Sequence, residues 1–309
     1  MPHVVRLLAL VLCVVSLNPR ASYSATSSYH EYPRRLGHHI RMPSLNSSSK
    51  VTRTGSERAE ASIKGVEEIP YYCAYQSGEA AYVGTIATMD VYAFPNLKKD
   101  QSISAHISVA DSQTSNQVIS GWEIDPDLYG DSKTHFFVYW TADRKNGCSN
   151  LDCDGFVPVN LATITPGDTL EPSRGHMNIT LKIFKSKEDG DWWLHFGHDI
   201  NNLSPVGYWP KSLLNGMQDH ADDIEWVGST FSYSGEISPP MGNGNWPRSN
   251  SAASFRNVQY IDRNGKGYDP PMGSLHAFES HKQCYRTGVF QLQVQGNMFY
   301  YGGPGGCTG

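Results

Sequence analysis

Glu123 and Glu225 are acidic side chains that each lie in a short run with strand character, Val118 to Ile124 and Ile224 to Val227, where a carboxylate is either an ordinary surface or rim group or one half of an acid–base pair. Side chains alternate along a strand, so Ile119, Gly121 and Glu123 share one face, and Glu225, Val227 and Ser229 share another. Two carboxyl groups facing one cleft can divide acid–base work on a water. One takes the proton, and its partner donates to a leaving nitrogen or polarises a carbonyl. Their mutual repulsion raises one pKa, which favours acid conditions. Other chemistries find less support. His195 and His198 would point to opposite faces of a strand, and no carboxylate–histidine cluster accompanies them, so no metal site is expected. Gly302-Gly303-Pro304-Gly305-Gly306 precedes neither a helix nor a lysine, which makes it a tight turn rather than a phosphate loop. A Gly-x-Ser-x-Gly elbow does not occur, and no cofactor is expected.

The elements that must carry these groups read as strands. Tyr82 to Met89, Val118 to Ile124, His135 to Trp140, Ile179 to Phe184, Trp192 to Phe196, Ile224 to Val227, Val258 to Ile261 and Val289 to Val294 are short runs rich in β-branched and aromatic residues, separated by Gly, Pro, Asn and Asp. A short helix or helical turn fits Lys211 to Asp219. Many short strands with such punctuation point to an all-β sandwich or barrel.

The chain divides into three parts. Residues 1–25 read as a signal peptide: a weakly basic start ending at Arg6, the apolar run Leu7 to Leu17, then Pro19 and small residues, with Ala21 or Ala25 as cleavage sites. That run is shorter than the roughly 20 residues that span a bilayer. The exported protein is therefore expected to be free of the membrane once the signal is removed. Residues 26–68 are rich in Ser, Arg, His and Lys and cannot bury enough apolar surface to offset chain entropy, which makes them a linker or pro-segment. Arg34-Arg35 within it is a candidate processing site. Residues 69–309 are long enough for a single core. A net charge of −5 provides no basic patch for nucleic acid. Export makes Asn46-Ser-Ser, Asn178-Ile-Thr and Asn202-Leu-Ser candidate glycosylation acceptors, the last weakened by Pro205. Export also favours cysteine pairing. Cys13 leaves with the signal, so five cysteines remain in the mature chain.

The stretch Gly121 to Phe156 resembles the neprosin family, secreted plant peptidases that use glutamates to cut next to proline. The resemblance is carried by Gly121-Trp122, the turn Pro126 to Asp131, Tyr139 to Asp143, Gly147-Cys148 and Cys153 to Phe156. It continues through Gly78 to Gly84, Asp191 to Leu194, Val206 to Lys211, Met241 to Gly244 and Tyr300 to Gly306, and covers roughly residues 69 to 309. It implies a twisted antiparallel β-sandwich in one domain, with a cleft on a concave face. It also implies an N-terminal activation peptide, of which residues 26–68 look like a short, degenerate version. Cys148 with Cys153 and Cys284 with Cys307 match the family's bridge positions, one clamping a loop and the other tying down the tail. Cys73 is then left over, either a buried free thiol or, as the sharper reading, a reactive thiol or the site of an intermolecular bond.

The resemblance also places the catalytic acids. The first lies two residues before Gly-Trp, where this chain has Ile119; the second follows a Glu-Trp-Gly-Gly, where it has Ser229. Neither side chain can transfer a proton in the required way. Were the two strands paired antiparallel, residues opposite each other would keep the constant sum 348, so Glu123 would face Glu225 further along the same cleft, with Cα atoms within about 8 Å. Trp122, Tyr139 and Trp226 flank these strands and are the candidate cleft aromatics, suited to a polyproline-like peptide. The expected protein is thus a secreted, apoplastic, neprosin-like chain of glutamic-peptidase architecture, acting on or binding a peptide or proline-rich protein. The alternative is a non-catalytic binder of peptides or cell-wall polymers in the same cleft.

Overall fold

The computed structural model describes residues 68–142, 146–172, 176–248, 250–293 and 296–308. The expected signal peptide, the linker with Arg34-Arg35, and Asn46 lie outside these residues. Seventeen strands follow one another in the described chain. They are β1 (Glu68–Ser77), β2 (Gly84–Tyr92), β3 (Ser102–Asp111), β4 (Asn116–Ile124), β5 (Thr134–Ala142), β6 (Asn146–Ser149), β7 (Val157–Pro158), β8 (Thr169–Leu170) and β9 (His176–Lys185). The series continues with β10 (Trp192–Asp199), β11 (Asn202–Trp209), β12 (Asp223–Tyr233), β13 (Ala253–Ile261), β14 (Gly267–Tyr268), β15 (Leu275–Glu279), β16 (Arg286–Thr287) and β17 (Phe299–Gly302).

They form two antiparallel sheets. The first runs β15-β1-β12-β3-β4-β5-β6, with β8 added on β5; the second runs β16-β17-β13-β2-β9-β10-β11-β7, with β14 added on β13. Seven of the eight expected strands coincide with β2, β4, β5, β9, β10, β12 and β13. The eighth, Val289 to Val294, is not a strand: Gln291 makes one isolated bridge with Met298, and Val294 lies outside the described residues. The helical expectation at Lys211 to Asp219 reduces to turns and a 3-10 segment at Asn215–Met217. Among the described residues no helix is long and apolar enough to cross a membrane.

Between the sheets lies a dense aromatic core containing Trp122, Trp192, Trp209, Trp226, Phe136 and Phe255. Three of these indoles have a partner for the N–H that burial strips of water: Trp122 donates to the Asp90 carbonyl at 2.9 Å, Trp226 to Thr85 Oγ1 at 3.2 Å, and Trp192 to the Met217 carbonyl at 3.0 Å. Disulfides join Cys148 to Cys153 and Cys284 to Cys307. The first clamps the loop after β6, where Gly155 lies so close to the Trp140 indole that a Cβ would collide with it. The second fastens the C-terminal run beside β16. Cys73 is a buried free thiol, and burial pushes its pKa far above the usual range.

Candidate functional site

Five neighbouring strands of the first sheet (β1, β12, β3, β4 and β5) turn one face away from the core, and their registers define what stands there. One row across them reads Gln76, Glu225, Ser108, Ile119, Tyr139. The next reads Ala74, Val227, His106, Gly121, Phe137, and the third Tyr72, Ser229, Ser104, Glu123, His135. Strand β3 supplies the middle of every row. Its sequence Ser-Ile-Ser-Ala-His-Ile-Ser-Val alternates strictly, sending Ile103, Ala105, Ile107 and Val109 into the core and Ser104, His106 and Ser108 to this face.

This arrangement overturns the direct opposition of Glu123 and Glu225. Strand β3 lies between β4 and β12 and is antiparallel to both, so β4 and β12 run parallel to each other. Glu123 is therefore level with Ser229, and Ile119 with Glu225. Two strand spacings and four residues separate the two glutamates, roughly 16 Å between Cα atoms in a flat sheet. The two positions that the family resemblance assigns to acids, Ile119 and Ser229, form one diagonal of a rectangle centred on His106. Glu123 and Glu225 form the other.

Each corner has its own surroundings. Ile119 is 5% exposed, and Ser229 shares a 2.6 Å hydrogen bond with Ser104. Glu123 is buried and accepts a hydrogen bond from the Tyr129 hydroxyl at 2.9 Å, while Asn150 Nδ2 donates to the same hydroxyl oxygen at 2.9 Å. Glu225 is half-buried, beside Gln76, whose amide donates to Asp223 at 2.9 Å. At the centre, a Cβ on Gly121 would come within 2.6 Å of His106 Cα, so only glycine lets β4 approach β3 there. The His106 ring meets Phe137 edge-on at 6.0 Å.

The segment Asp125 to Asp131 explains how Glu123 is held. Asp125 caps the single-turn helix α1 (Pro126–Tyr129) by accepting from the amides of Asp127 and Leu128, proline sits at its start, and Gly130 ends it in the left-handed conformation. That fixed turn lays Tyr129 flat on His135, with ring centroids 3.8 Å apart and planes 3° from parallel. His135 Nδ1 lies 2.8 Å from the Gly167 carbonyl and Nε2 lies 3.0 Å from Asp131. The hydrogen bond from His135 holds the Asp131 carboxyl below its ordinary pKa. Further along β5, burial raises the Tyr139 phenol above its ordinary value, partly offset by its hydrogen bond with Thr141, so it remains protonated and able to donate.

The candidate cleft aromatics divide by strand parity. Tyr139 stands on this face, half-buried. Trp122 and Trp226 do not: each neighbours an outward residue, points the other way, and is completely buried between the sheets. They hold the sandwich together and touch no cleft. Sequence reasoning also missed Ser104, His106 and Ser108 on β3, and Tyr129 and His135 beside Glu123. The alternation within β3 was the available signal. Ser, Ala and His give it little of the β-branched and aromatic richness by which the other strands were recognised. Among the described residues, no group of three or more His, Cys, Asp or Glu side chains is gathered as a metal set would be.

The Neprosin domain model matches residues 98–304. The chain belongs to the Neprosin family. Within this Neprosin domain the match begins just before β3 and ends inside the C-terminal glycine run, so it spans every strand of the outer-face rows except β1. Solved structures of low similarity include scytalido-glutamic peptidase with a transition-state analogue inhibitor, at 11% identity and a TM-score of 0.40, covering 76% of this chain and 99% of the other. A second complex of that peptidase, with a peptide-based analogue, gives 10% identity and a TM-score of 0.37, covering 77% and 99%. SCP-B, a member of the eqolisin peptidases bound to the tripeptide Ala-Ile-His, gives 9% and 0.36, covering 77% and 99%.

Proposed function

We propose that this is a secreted Neprosin-family protein that binds extended, proline-containing peptides on the outer face of the first sheet, and in which the family's hydrolytic route is closed. One observation carries the reading: a packed isoleucine and a hydrogen-bonded serine stand at Ile119 and Ser229, where the family resemblance puts the two proton-transferring glutamates. Removing such a group leaves the scaffold and its binding surface but commonly costs orders of magnitude in rate. Peptide binding is supported by Tyr72 and Tyr139, half-buried at opposite margins of the floor. Aromatic faces of this kind suit a polyproline-like chain, which loses little entropy on docking. Secretion to the plant apoplast is supported by the N-terminal apolar run and by the two disulfides, which persist in oxidising compartments.

A second reading follows from the rectangle. Glu123 and Glu225 span its other diagonal, the same distance across the same centre in a flat sheet, so a relocated carboxyl pair could act on a peptide bond lying over His106. The test is to measure binding of a fluorescent proline-rich peptide, and its cleavage from about pH 3 to 7, where carboxyl pairs titrate, with the purified mature domain and its Glu123→Gln and Glu225→Gln variants. Binding without turnover is expected. Turnover that disappears in either variant would establish the relocated pair, and a folded protein that neither binds nor cleaves would sink both readings.

A further inference from the structure

The second sheet also has a face turned away from the core, and a cavity of about 940 Å³ lies on it. The neighbouring strands β13, β2 and β9 form its floor. Thr88 and Asp90 of β2 pair with Thr180 and Asn178 of β9. On the other side, a bulge in β13 puts Asn257 in a left-handed conformation (φ 53°), from which its amide reaches Thr88 at 2.9 Å. The floor carries little net charge. Asp90 accepts from Ser254 N and Oγ at 2.9 and 2.7 Å and pairs with Arg256 at 2.7 Å. What remains of the floor is an array of amides and hydroxyls, each able both to donate and to accept, while His198, Asp199, Ile200 and Met298 stand at its margins. Sugar hydroxyls have the same dual character, so the lining suits a neutral saccharide better than an ion or an apolar ligand.

A saccharide source is built into this floor. Asn178 is the acceptor of the sequence Asn178-Ile179-Thr180, and it is half-buried and lines the cavity. Its backbone is fixed by His198, whose Nδ1 lies 2.8 Å from the Asn178 carbonyl oxygen. The next acceptor, Asn202, is different: it is exposed at the turn between β10 and β11, where an attached chain would leave the surface directly. We infer that Asn178 carries a glycan whose first sugars lie in this groove, hydrogen-bonded to its amides and hydroxyls, and so form part of the second sheet's outer face. The inference rests on the secreted reading above, since only an exported chain meets the glycosylation machinery.

The test uses the full chain, expressed with its own N-terminus in a secreting host that adds high-mannose glycans. Glycopeptide mass spectrometry reads occupancy at Asn178. An endoglycosidase that cuts between the first two sugars is then applied to native and to urea-unfolded protein. The expected result is an occupied Asn178 trimmed about tenfold or more slowly in the native state, because access then needs local opening. Asn178→Gln should also lower Tm, whereas Asn202→Gln should leave it unchanged. Secreted protein with a bare Asn178, or trimming as fast in the native as in the unfolded state, overturns the inference alone. A chain that stays inside the cell and bears no glycan overturns the secreted reading and the inference together.

Discussion

At the scale of single residues, the site is defined by which side chains stand at four corners around His106. Ile119 and Ser229 occupy the positions that the family resemblance assigns to acids, and both now have structural roles, one packed and the other hydrogen-bonded to Ser104. Restoring both acids with Ile119→Glu and Ser229→Glu should therefore give the domain acid-favouring cleavage of a proline-containing fluorogenic peptide, with either single variant far weaker, because the two groups act as a unit. A double variant that folds, binds the peptide and still shows no turnover would count against these positions. Glu123 is a different case. Its hydrogen bond from Tyr129 and the stack of Tyr129 on His135 hold it in one pose. Its companions were found only through the structure, because Tyr129 and His135 lie six and twelve residues along the chain and meet it through the turn that α1 makes.

At the scale of elements, β3 is the strand on which the site depends. It separates β4 from β12, and the contact at Gly121 sets how closely β4 can lie against it. Gly121→Ala would push a Cβ to 2.0 Å from the Ala105 carbonyl oxygen, so the ladder must shift. The expected cost is about 1–3 kcal/mol, as for other overpacked sites, read from the urea midpoint. A variant as stable as the parent would mean the strands have slack there. At the other end of the chain, the bridge Cys284–Cys307 fastens the segment that carries β16 and β17. Replacing both cysteines by alanine should lower stability by about 2–5 kcal/mol, with β17 losing hydrogen-exchange protection before the rest of the second sheet. Uniform loss across both sheets would show that the tail unfolds only with the whole.

At the scale of the whole molecule, acid stability bounds any assay of the site. His195, half-buried on the second sheet, has its pKa lowered to about 4 by burial and by the nearby Lys182 cation, against an ordinary 6.5. Between those values the unfolded chain binds a proton that the folded chain refuses. The contribution of His195 is thus fully present above about pH 6.5, falls as the pH drops, and is lost as it passes through about 4. His195→Gln should flatten the decline of the urea midpoint across that window; an unchanged profile would assign the acid sensitivity to other groups. Asp131, held below its ordinary 3.8 mainly by its hydrogen bond with His135, contributes stability that begins to be lost only below that value. The sequence by itself determined the all-β class, the family, both disulfide pairs and seven of the strands. The class and the strands follow from local signals, β-branched and aromatic runs and turn residues; the family follows from motifs a few residues long, and the disulfide pairs only from the resemblance those motifs carry. Strand alternation also requires Trp122 and Glu123 to face opposite ways, a constraint that the cleft expectation for Trp122 did not meet. What only the tertiary structure decided is which strands lie side by side. Pairing joins segments more than a hundred residues apart, such as β3 and β12, and no local pattern encodes it. One intervening strand turned an expected facing pair of carboxylates into the diagonal of a rectangle.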